Sequence, residues 1–104
     1  MSFFALDKQS ALQDGYCKSH SVGGLKLLLI YSGGETYILD QTCPHAGASL
    51  KKGKIAANCI RCPKHGIVFD MLSGTPQGGE AVEGIASLKT YPAVVHGDSV
   101  GVEL

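Results

Sequence analysis

Two short segments of the sequence each pair one cysteine with one histidine. They are Cys43-Pro44-His45 and Cys62-Pro63-Lys64-His65, with sixteen residues between His45 and Cys62. Thiolates and imidazoles bind metals. Two neighbouring loops that each supply one thiolate and one imidazole can hold a cluster of two irons and two sulfides. The spacing therefore predicts that the two segments meet as loops around a metal centre.

Histidine ligands change the charge of such a cluster. Four thiolates around two ferric ions and two sulfides give about two net negative charges, whereas two thiolates and two neutral imidazoles give about zero. Adding an electron then costs less, and clusters with mixed ligands have reduction potentials of roughly −150 to +300 mV, against about −400 mV for plant-type four-thiolate clusters. The residue types thus favour one-electron chemistry at the predicted centre.

Zinc is the main alternative occupant, because Cys59 lies three residues before Cys62 and a Cys59-x-x-Cys62-x-x-His65 site also fits the residue types. Zinc sites usually open with two cysteines separated by about two to four residues, or close with two histidines separated by about three to five. Cys43 and His45 have a single residue between them, which favours the iron–sulfur cluster. A third interpretation, four unliganded side chains in loops, needs both tight Cys/His pairs to arise by accident.

The four residues and their neighbours resemble the Rieske ferredoxins and Rieske domains, whose pattern is Cys-x-His, a spacer of about fifteen residues, then Cys-x-x-His. The likeness extends through Gly66, Phe69-Asp70 and Ser73-Gly74 and covers nearly the whole chain. The resemblance implies a Rieske-type [2Fe–2S] cluster with four ligands. In it, both thiolates bind one iron and both histidines bind the other through Nδ1. The ligand pairs are Cys43 with Cys62 and His45 with His65.

The chain departs from the high-potential members of that family. Those proteins carry an extra cysteine in each loop, joined as a disulfide, and a serine after the second loop that bonds a sulfide. The matching positions here are Ala48, Lys64 and Ile67, which supply neither a thiol nor a hydroxyl. The resemblance therefore implies a potential near the lower end of the Rieske range.

Fourteen glycines, no tryptophan and short β-rich runs predict an all-β fold, and the resemblance implies small antiparallel sheets with an inserted cluster-binding subdomain. Strands are expected at residues 3–7, 16–22, 24–31, 36–39, 53–60, 67–70, 86–95 and 99–103, with a turn or helical piece at 10–14 and a long loop at 71–84. Gly33-Gly34 and Gly97 mark hairpins, because glycine tolerates positive φ angles.

The length and composition predict one domain with one modest core, since the chain has 104 residues of which 44% are hydrophobic. The expected organisation is a single Rieske domain over 1–104. Basal sheets, formed by 1–40 and 71–104, carry a cluster-binding subdomain at 41–70.

The charge is unevenly distributed although the net charge is zero. Between Gln41 and Phe69 there is no acidic residue, and five basic residues fall in this stretch: Lys51, Lys52, Lys54, Arg61 and Lys64. An ordinary solvated surface explains this pattern as well as a function does. The functional hypothesis is that the basic patch steers an acidic partner surface toward the cluster.

The loops also contain apolar residues and glycines of interest. Six apolar residues either pack one loop on the other or form a rim around the histidine edges: Pro44, Ala46, Ala48, Leu50, Pro63 and Ile67. Gly47 and Gly66 are expected to bring backbone N–H groups toward the sulfides, which would stabilise the reduced cluster.

Several functions are excluded or disfavoured by what the chain lacks. His20 and His96 stand apart from any second iron site, so the catalytic iron of Rieske oxygenases is not expected, and both histidines are predicted to be surface or strand-end residues. The N-terminus shows neither a signal peptide nor a membrane anchor. Cys17 and Cys59 form no disulfide pattern and are expected to be partly buried thiols of a cytoplasmic protein.

The resemblance implies a function in electron transport: a soluble Rieske ferredoxin that passes one electron at a time from a reductase to a terminal oxygenase. Such a chain is a non-catalytic component of an oxidoreductase system and is expected to be a monomer without nucleic-acid or membrane contacts. The alternative is the small iron–sulfur subunit of a nitrite reductase-like enzyme, with a large reductase subunit as partner. A zinc-stabilised binding module is the third interpretation.

Overall fold

Short strands joined by tight turns build the protein, whose computed structural model describes residues 2–44, 47, 49–63, 66–77 and 86–104. The strands are β1 (Phe3–Lys8), β2 (Tyr16–Val22), β3 (Leu25–Ser32), β4 (Glu35–Asp40), β5 (Lys54–Ala56), β6 (Cys59–Arg61), β7 (Val68–Asp70), β8 (Pro76–Gln77), β9 (Thr90–Tyr91), β10 (Val94–His96) and β11 (Ser99–Glu103). Two 3-10 turns, Gln9–Ala11 and Leu50–Lys52, interrupt them. Across the described ranges, no helix has the length and apolar content that crossing a bilayer requires.

The strands form three antiparallel sheets. Their strand orders are β1-β11-β10, β2-β3-β4-β9 and β5-β6-β7-β8. The third sheet contains the two strands between the predicted ligand segments, β5 and β6, and the two strands that follow them, β7 and β8. This architecture confirms the predicted all-β fold.

The strand β3 separates two hydrophobic cores. Its residues Leu27 to Ile30 are all fully buried, and because side chains alternate along a strand they point to opposite faces. Leu28 and Ile30 belong to one core, whereas Leu27 and Leu29 belong to the other, together with residues of β11 such as Val100. Burial on both faces explains why this strand is a continuous apolar run instead of an alternating one.

Two glycine pairs close the hairpins on either side of β3. Gly33 and Gly34 have φ angles of 59° and 82°, and Gly23 and Gly24 have 54° and 82°. Two successive residues with positive φ are what a two-residue type I′ hairpin turn requires. The Gly33-Gly34 hairpin is thus the one predicted, and Asp14 holds it further by accepting a hydrogen bond from the Gly33 N–H at 2.9 Å.

Some predicted strands are divided in the structure. The single strand expected at 53–60 is wrong, since β5 and β6 form a hairpin around Ala57 and Asn58. Ala57 has a φ of 54°, a turn conformation that an alanine gives no sequence signal for. The strand expected at 86–95 is likewise split into β9 and β10, because Pro92 cannot donate a ladder hydrogen bond.

The sheet whose strands β6 and β7 flank the second predicted ligand segment extends beyond residue 70. Within the expected loop at 71–84, residues 76 and 77 form β8 and pair with β7, while residues 78–85 lie outside the described ranges. The connecting turn requires Gly74, which has a φ of 79° and where a Cβ atom would lie 1.8 Å from the carbonyl oxygen of Leu88. No other residue fits at this position without a backbone shift.

A hydrogen-bonded group of three side chains ties β1 to β2. The Tyr16 hydroxyl donates to Oδ2 of Asp7 at 2.5 Å and lies 3.4 Å from Nε2 of His20. Burial, followed by the bond to Asp7, raises the pKa of Tyr16. Burial lowers the pKa of His20 below 6.5, and Lys18 adds to this while Asp7 opposes it. The predicted surface or strand-end placement holds for His96, which ends β10, but His20 is half-buried within β2.

We expect His20 to make the fold less stable in mild acid. Since its pKa is lowered in the folded state, the stability it contributes is present above about pH 6.5 and is lost as the pH falls through the folded pKa. When the pH is lowered from 7.5 to 5, the melting temperature of H20Q should fall by less than that of the wild type. H96Q controls for the loss of a histidine, and an identical pH dependence of H20Q and wild type would contradict the assignment.

Candidate metal centre

The two predicted ligand segments share one backbone hydrogen-bond pattern. In each, the N–H of a glycine donates to the carbonyl oxygen of the cysteine four residues earlier: Gly47 to Cys43 and Gly66 to Cys62, both at 2.9 Å. The glycines have φ angles of 67° and 72°, a region that side chains with a Cβ atom rarely adopt. Two five-residue turns, Cys-Pro-His-Ala-Gly and Cys-Pro-Lys-His-Gly, therefore present their cysteines alike.

The first of these turns is anchored at both of its ends. Thr42 forms a β-bridge with Ser49, and the Leu50 N–H donates to the carbonyl oxygen of Gln41 at 2.6 Å. The hydroxyl of Ser49 accepts from Nε2 of Gln41 at 3.0 Å and from the Lys51 N–H at 3.2 Å. The loop is thus closed by its own backbone before the 3-10 turn Leu50–Lys52 begins.

The second turn connects β6 to β7. Arg61 pairs with Val68 across the two strands, and the Cys62 N–H then donates to the carbonyl oxygen of Ile67 at 2.7 Å. Cys62 therefore stands at the last hydrogen-bonded position before the turn. The hairpin fixes its backbone in the way that the β-bridge fixes the first turn.

Both cysteines lie inside the protein. Cys43 and Cys62 are each 1% exposed and belong to the same buried cluster as Leu28 and Ile30 of β3. Strand β3 thus forms part of the floor below both turns. The two predicted thiolate ligands are brought into one core, as a shared site requires, while His45 and His65 lie outside the described residues.

The predicted apolar rim is only partly present. Leu50 and Ile67 are buried in the cluster that contains the cysteines, so they pack the loops instead of forming a rim. Pro44 and Pro63 are exposed, whereas Ala46 and Ala48 lie outside the described residues. In each turn, the buried cysteine is therefore followed directly by an exposed proline.

The predicted role of the two glycine amides is not supported. The N–H groups of Gly47 and Gly66 close the turns by donating to cysteine carbonyl oxygens, so they are already engaged. These bonds tie each glycine to the cysteine four residues before it.

The described part of the site fits a [2Fe–2S] cluster with mixed ligands. Two buried thiols start two matching turns, each of which has a histidine among its three central positions. None of the buried residues described is polar or charged, so the surroundings suit a group of low net charge. Among the described residues, no three His, Cys, Asp or Glu side chains form a competing metal site.

The zinc alternative that uses Cys59 is disfavoured by the strand geometry. Ile60 of β6 is fully buried in the cysteine cluster, and neighbouring residues of a strand point to opposite faces. Cys59 accordingly lies on the other face with Arg61, where it is half-buried and close to the side chain of Asn58. Cys62 is buried in the same core as Ile60, whereas Cys59 lies on the opposite face of the strand.

The fold and the paired turns define a class, the small all-β proteins that hold an iron–sulfur cluster between two loops. The Rieske [2Fe-2S] domain family matches residues 2–92, which is most of the chain. The protein belongs to the Rieske [2Fe-2S] domain family. Its predicted cofactor, a Rieske-type [2Fe–2S] cluster, is confirmed by this membership.

Curated relatives include proteins much longer than this chain. Apoptosis-inducing factor 3 of Homo sapiens is 33% identical over 91 residues, which make up 88% of this chain and 14% of that protein. Ferredoxin CarAc of Metapseudomonas resinovorans is 36% identical over 55 residues, or 53% of this chain and 51% of that protein. The chain thus spans a small part of the first of these relatives and about half of the second.

Solved structures match nearly the whole chain. The ferredoxin of carbazole 1,9a-dioxygenase from Nocardioides aromaticivorans IC177 superposes with a TM-score of 0.84 and 25% identity, covering 98% of this chain and 97% of its own. A chain from a complex of reduced oxygenase and oxidized ferredoxin in carbazole 1,9a-dioxygenase superposes with a TM-score of 0.82 and 27% identity. The match covers 96% of this chain and 91% of that chain. A nitrite reductase NADPH small subunit shares the fold alone, with a TM-score of 0.80 and 19% identity over the whole length of both chains.

A glycine between the loops is required by packing. A Cβ atom on Gly53 would lie 2.6 Å from the carbonyl oxygen of Arg61 and 3.0 Å from that of Leu50, although the φ of Gly53 is an ordinary −66°. Gly53 therefore lets the 3-10 turn after the first loop approach β6 before the second. Its sequence position gave no sign of this role.

We expect G53A to destabilise the domain because the added methyl group meets backbone atoms. Overpacking of this kind costs roughly 1–3 kcal/mol. Urea denaturation should show the corresponding drop in the free energy of unfolding, whereas K52A, at the exposed neighbouring position, should stay close to wild type. Equal stability of G53A and K52A would show that the contact is relieved without cost.

Proposed function

We propose that the protein carries one electron at a time from a reductase to a terminal oxygenase, as a non-catalytic Rieske ferredoxin. The observation that carries the proposal is the pair of matching turns whose cysteines, Cys43 and Cys62, meet in one buried cluster. We propose Cys43, His45, Cys62 and His65 as the four ligands. When bound, a cluster of this type takes up and releases single electrons without any bond to a substrate.

The residues around the ligands hold the site and exclude water. Leu50 and Ile67 pack beside the two cysteines and remove the thiolates from solvent. The prolines after each cysteine restrict the backbone and lack an N–H that would compete for the ligands. The histidines belong to turns whose exposed prolines face solvent, so we propose that electrons enter and leave on the histidine side.

Residues 41–70 serve, in this proposal, as the cluster-binding subdomain of a single Rieske domain over 1–104. The sheet β5-β6-β7-β8 supports the second turn, and the other two sheets form the base. The half-buried reduced thiols of Cys17 and Cys59 support the cytoplasm as the compartment of this exchange.

The proposed partners follow from what similar proteins are described to do. The similar ferredoxins belong to carbazole 1,9a-dioxygenase, and one structure holds such a ferredoxin together with its oxygenase. Apoptosis-inducing factor 3 instead contains the similar region within a longer protein. We therefore propose a reductase and an oxygenase as exchange partners, with this chain acting as a monomer and binding neither nucleic acid nor membrane.

A second candidate is the small iron–sulfur subunit of a nitrite reductase-like enzyme. It is favoured by the match to a nitrite reductase small subunit over the whole length of both chains. Retention of both cysteines and both histidines supports the mobile carrier over this alternative. A stable complex with a large reductase subunit during purification would reverse the order.

Two cysteine variants test the ligand assignment. C43S should lose the iron and sulfide, the visible absorption and the EPR signal of the dithionite-reduced protein, because a hydroxyl replaces a thiolate ligand. C59S should retain all of them, since Cys59 lies on the other face of β6. A colourless wild-type protein that contains zinc, with metal loss in C59S, would contradict the assignment and favour the zinc-stabilised module.

The reduction potential tests the low-potential interpretation. Ile67 is buried and aliphatic, so it offers no hydroxyl to a sulfide, and hydrogen bonds of that kind raise cluster potentials. We expect a midpoint in the lower part of the range of roughly −150 to +300 mV. I67S should shift it upward in a redox titration, whereas V68S, one residue further, should not. A wild-type midpoint near the top of the range would contradict the interpretation.

A further inference from the structure

The outer face of the third sheet bears a cavity that the proposed electron transfer does not use. It has a volume of about 530 Å³ and opens to solvent on the side of the sheet opposite the cysteine cluster. Five side chains line it: Lys54, Ala56, Cys59, Arg61 and Val68. Two of these are cations, and the remaining three form a floor without ionised groups.

The two cations face each other across the hairpin. Lys54 pairs directly with Arg61 in the register of β5 and β6. Like charges at directly opposed positions destabilise a sheet, so this arrangement has a cost in the isolated protein. Both side chains are exposed, and neither makes an ion pair with a carboxylate among the described residues. An anionic group between them would remove the repulsion.

The cavity lies beside the second ligand turn. A Cβ atom built on Gly66 would lie 3.9 Å from Nη1 of Arg61, so the guanidinium group extends along the turn that begins at Cys62. Lys51 and Lys52, in the 3-10 turn after the first loop, are also exposed. The stretch from Gln41 to Phe69 contains no acidic residue. The next residue, Asp70, pairs with Cys59 across β6 and β7, and its carboxylate accepts hydrogen bonds from Asn58, Leu72 and Ser73.

We propose that this face, the Lys54–Arg61 face, is the docking surface for acidic side chains of the redox partner protein. The inference rests on the proposed function for its partner and on charge complementarity for its chemistry. A carboxylate between Lys54 and Arg61 would bind both cations, while its aliphatic stem would cover Ala56 and Val68. The partner would then lie next to the second ligand turn.

A protein fits this surface better than a nucleic acid does. Single-stranded nucleic acids are bound by grooves in which aromatic side chains stack on the bases. The cavity is lined by aliphatic residues, a thiol and two cations, and it contains no aromatic side chain among the described residues. Its apolar floor between two charges matches the stem and head of an acidic amino acid.

Cys59 provides a direct probe of occupancy, because its half-buried thiol lies in the cavity. We would measure its alkylation by the neutral reagent N-ethylmaleimide on the holoprotein, with mass-spectrometric mapping, in the presence of hexaglutamate or hexaglutamine peptide. At low salt, hexaglutamate should slow the reaction about threefold, an effect within reach of two exposed ion pairs. Hexaglutamine should not, and high salt should abolish the protection.

Cys17 serves as an internal control in the same spectra. It lies on β2 and does not line the cavity, and its Sγ atom is 3.9 Å from the carbonyl oxygen of Lys51. Burial raises the pKa of the Cys17 thiol, so its reaction is slow, and the peptide should not change its rate. Equal slowing at Cys17 and Cys59 would overturn the proposal, because it would show non-specific association.

Matched charge reversals localise the effect. K54E/R61E and K8E/K26E change the net charge equally, but the second pair lies on exposed positions of the other two sheets. Protection of Cys59 by hexaglutamate should disappear in K54E/R61E and remain in K8E/K26E. Loss of Cys59 protection in both variants would overturn the docking surface, and so would the absence of protection in the wild type. Protection by an oligothymidylate but not by hexaglutamate would also overturn it.

The outcome for the surface is separate from that for electron transfer. Iron and sulfide analysis and the EPR spectrum of the reduced protein report on the cluster without reference to the cavity. Protection of Cys59 in a protein that lacks iron would refute the carrier function and the redox nature of the partner, while the acidic specificity would stand. An intact cluster without protection would refute the docking surface alone.

Discussion

The structure depends on the burial of both faces of the sheet that contains β3 and β4. Because side chains alternate along a strand, Leu28 and Ile30 face one core while Leu27 and Leu29 face the other. The core of Leu28 and Ile30 also contains Cys43 and Cys62, whereas the core of Leu27 and Leu29 closes against the sheet formed by β1, β10 and β11. The central sheet is thereby fixed from both sides, and the turns rest on a floor that cannot move without disturbing the opposite core.

This floor explains how a small domain can hold two cysteines at fixed backbone positions. Each turn is closed by a glycine N–H on a cysteine carbonyl oxygen, and each is anchored to a neighbouring backbone, by the Thr42–Ser49 bridge or by the β6-β7 hairpin. The cysteines point into the core and the following prolines point to solvent. A single step along the chain thus separates each buried cysteine from an exposed proline.

Much of this arrangement could be predicted from the sequence, because the decisive signals are local. The Cys/His pairs, the Gly33-Gly34 hairpin and the apolar run of β3 depend on neighbouring residues. The failures have non-local or weak local causes: Ala57 adopts a positive φ without being a glycine, and Gly53 is required by the distant backbone of Arg61. Leu50 and Ile67 were ambiguous, since an apolar residue at a loop tip packs inward or faces solvent according to contacts that no short pattern records.

The same geometry separates two properties that an electron carrier must combine. A site that gains and loses one charge works best when its surroundings rearrange little, which requires rigid ligand loops and a dry, preformed core. A partner must nevertheless be recognised, and recognition by charge needs exposed side chains. Alternation along β6 separates two faces within three residues: Ile60 points to the cysteine core, whereas Cys59 and Arg61 point to the outer face that we propose as the docking surface. On the docking proposal, changes of charge on that face would affect partner binding without altering the packing around Cys43 and Cys62.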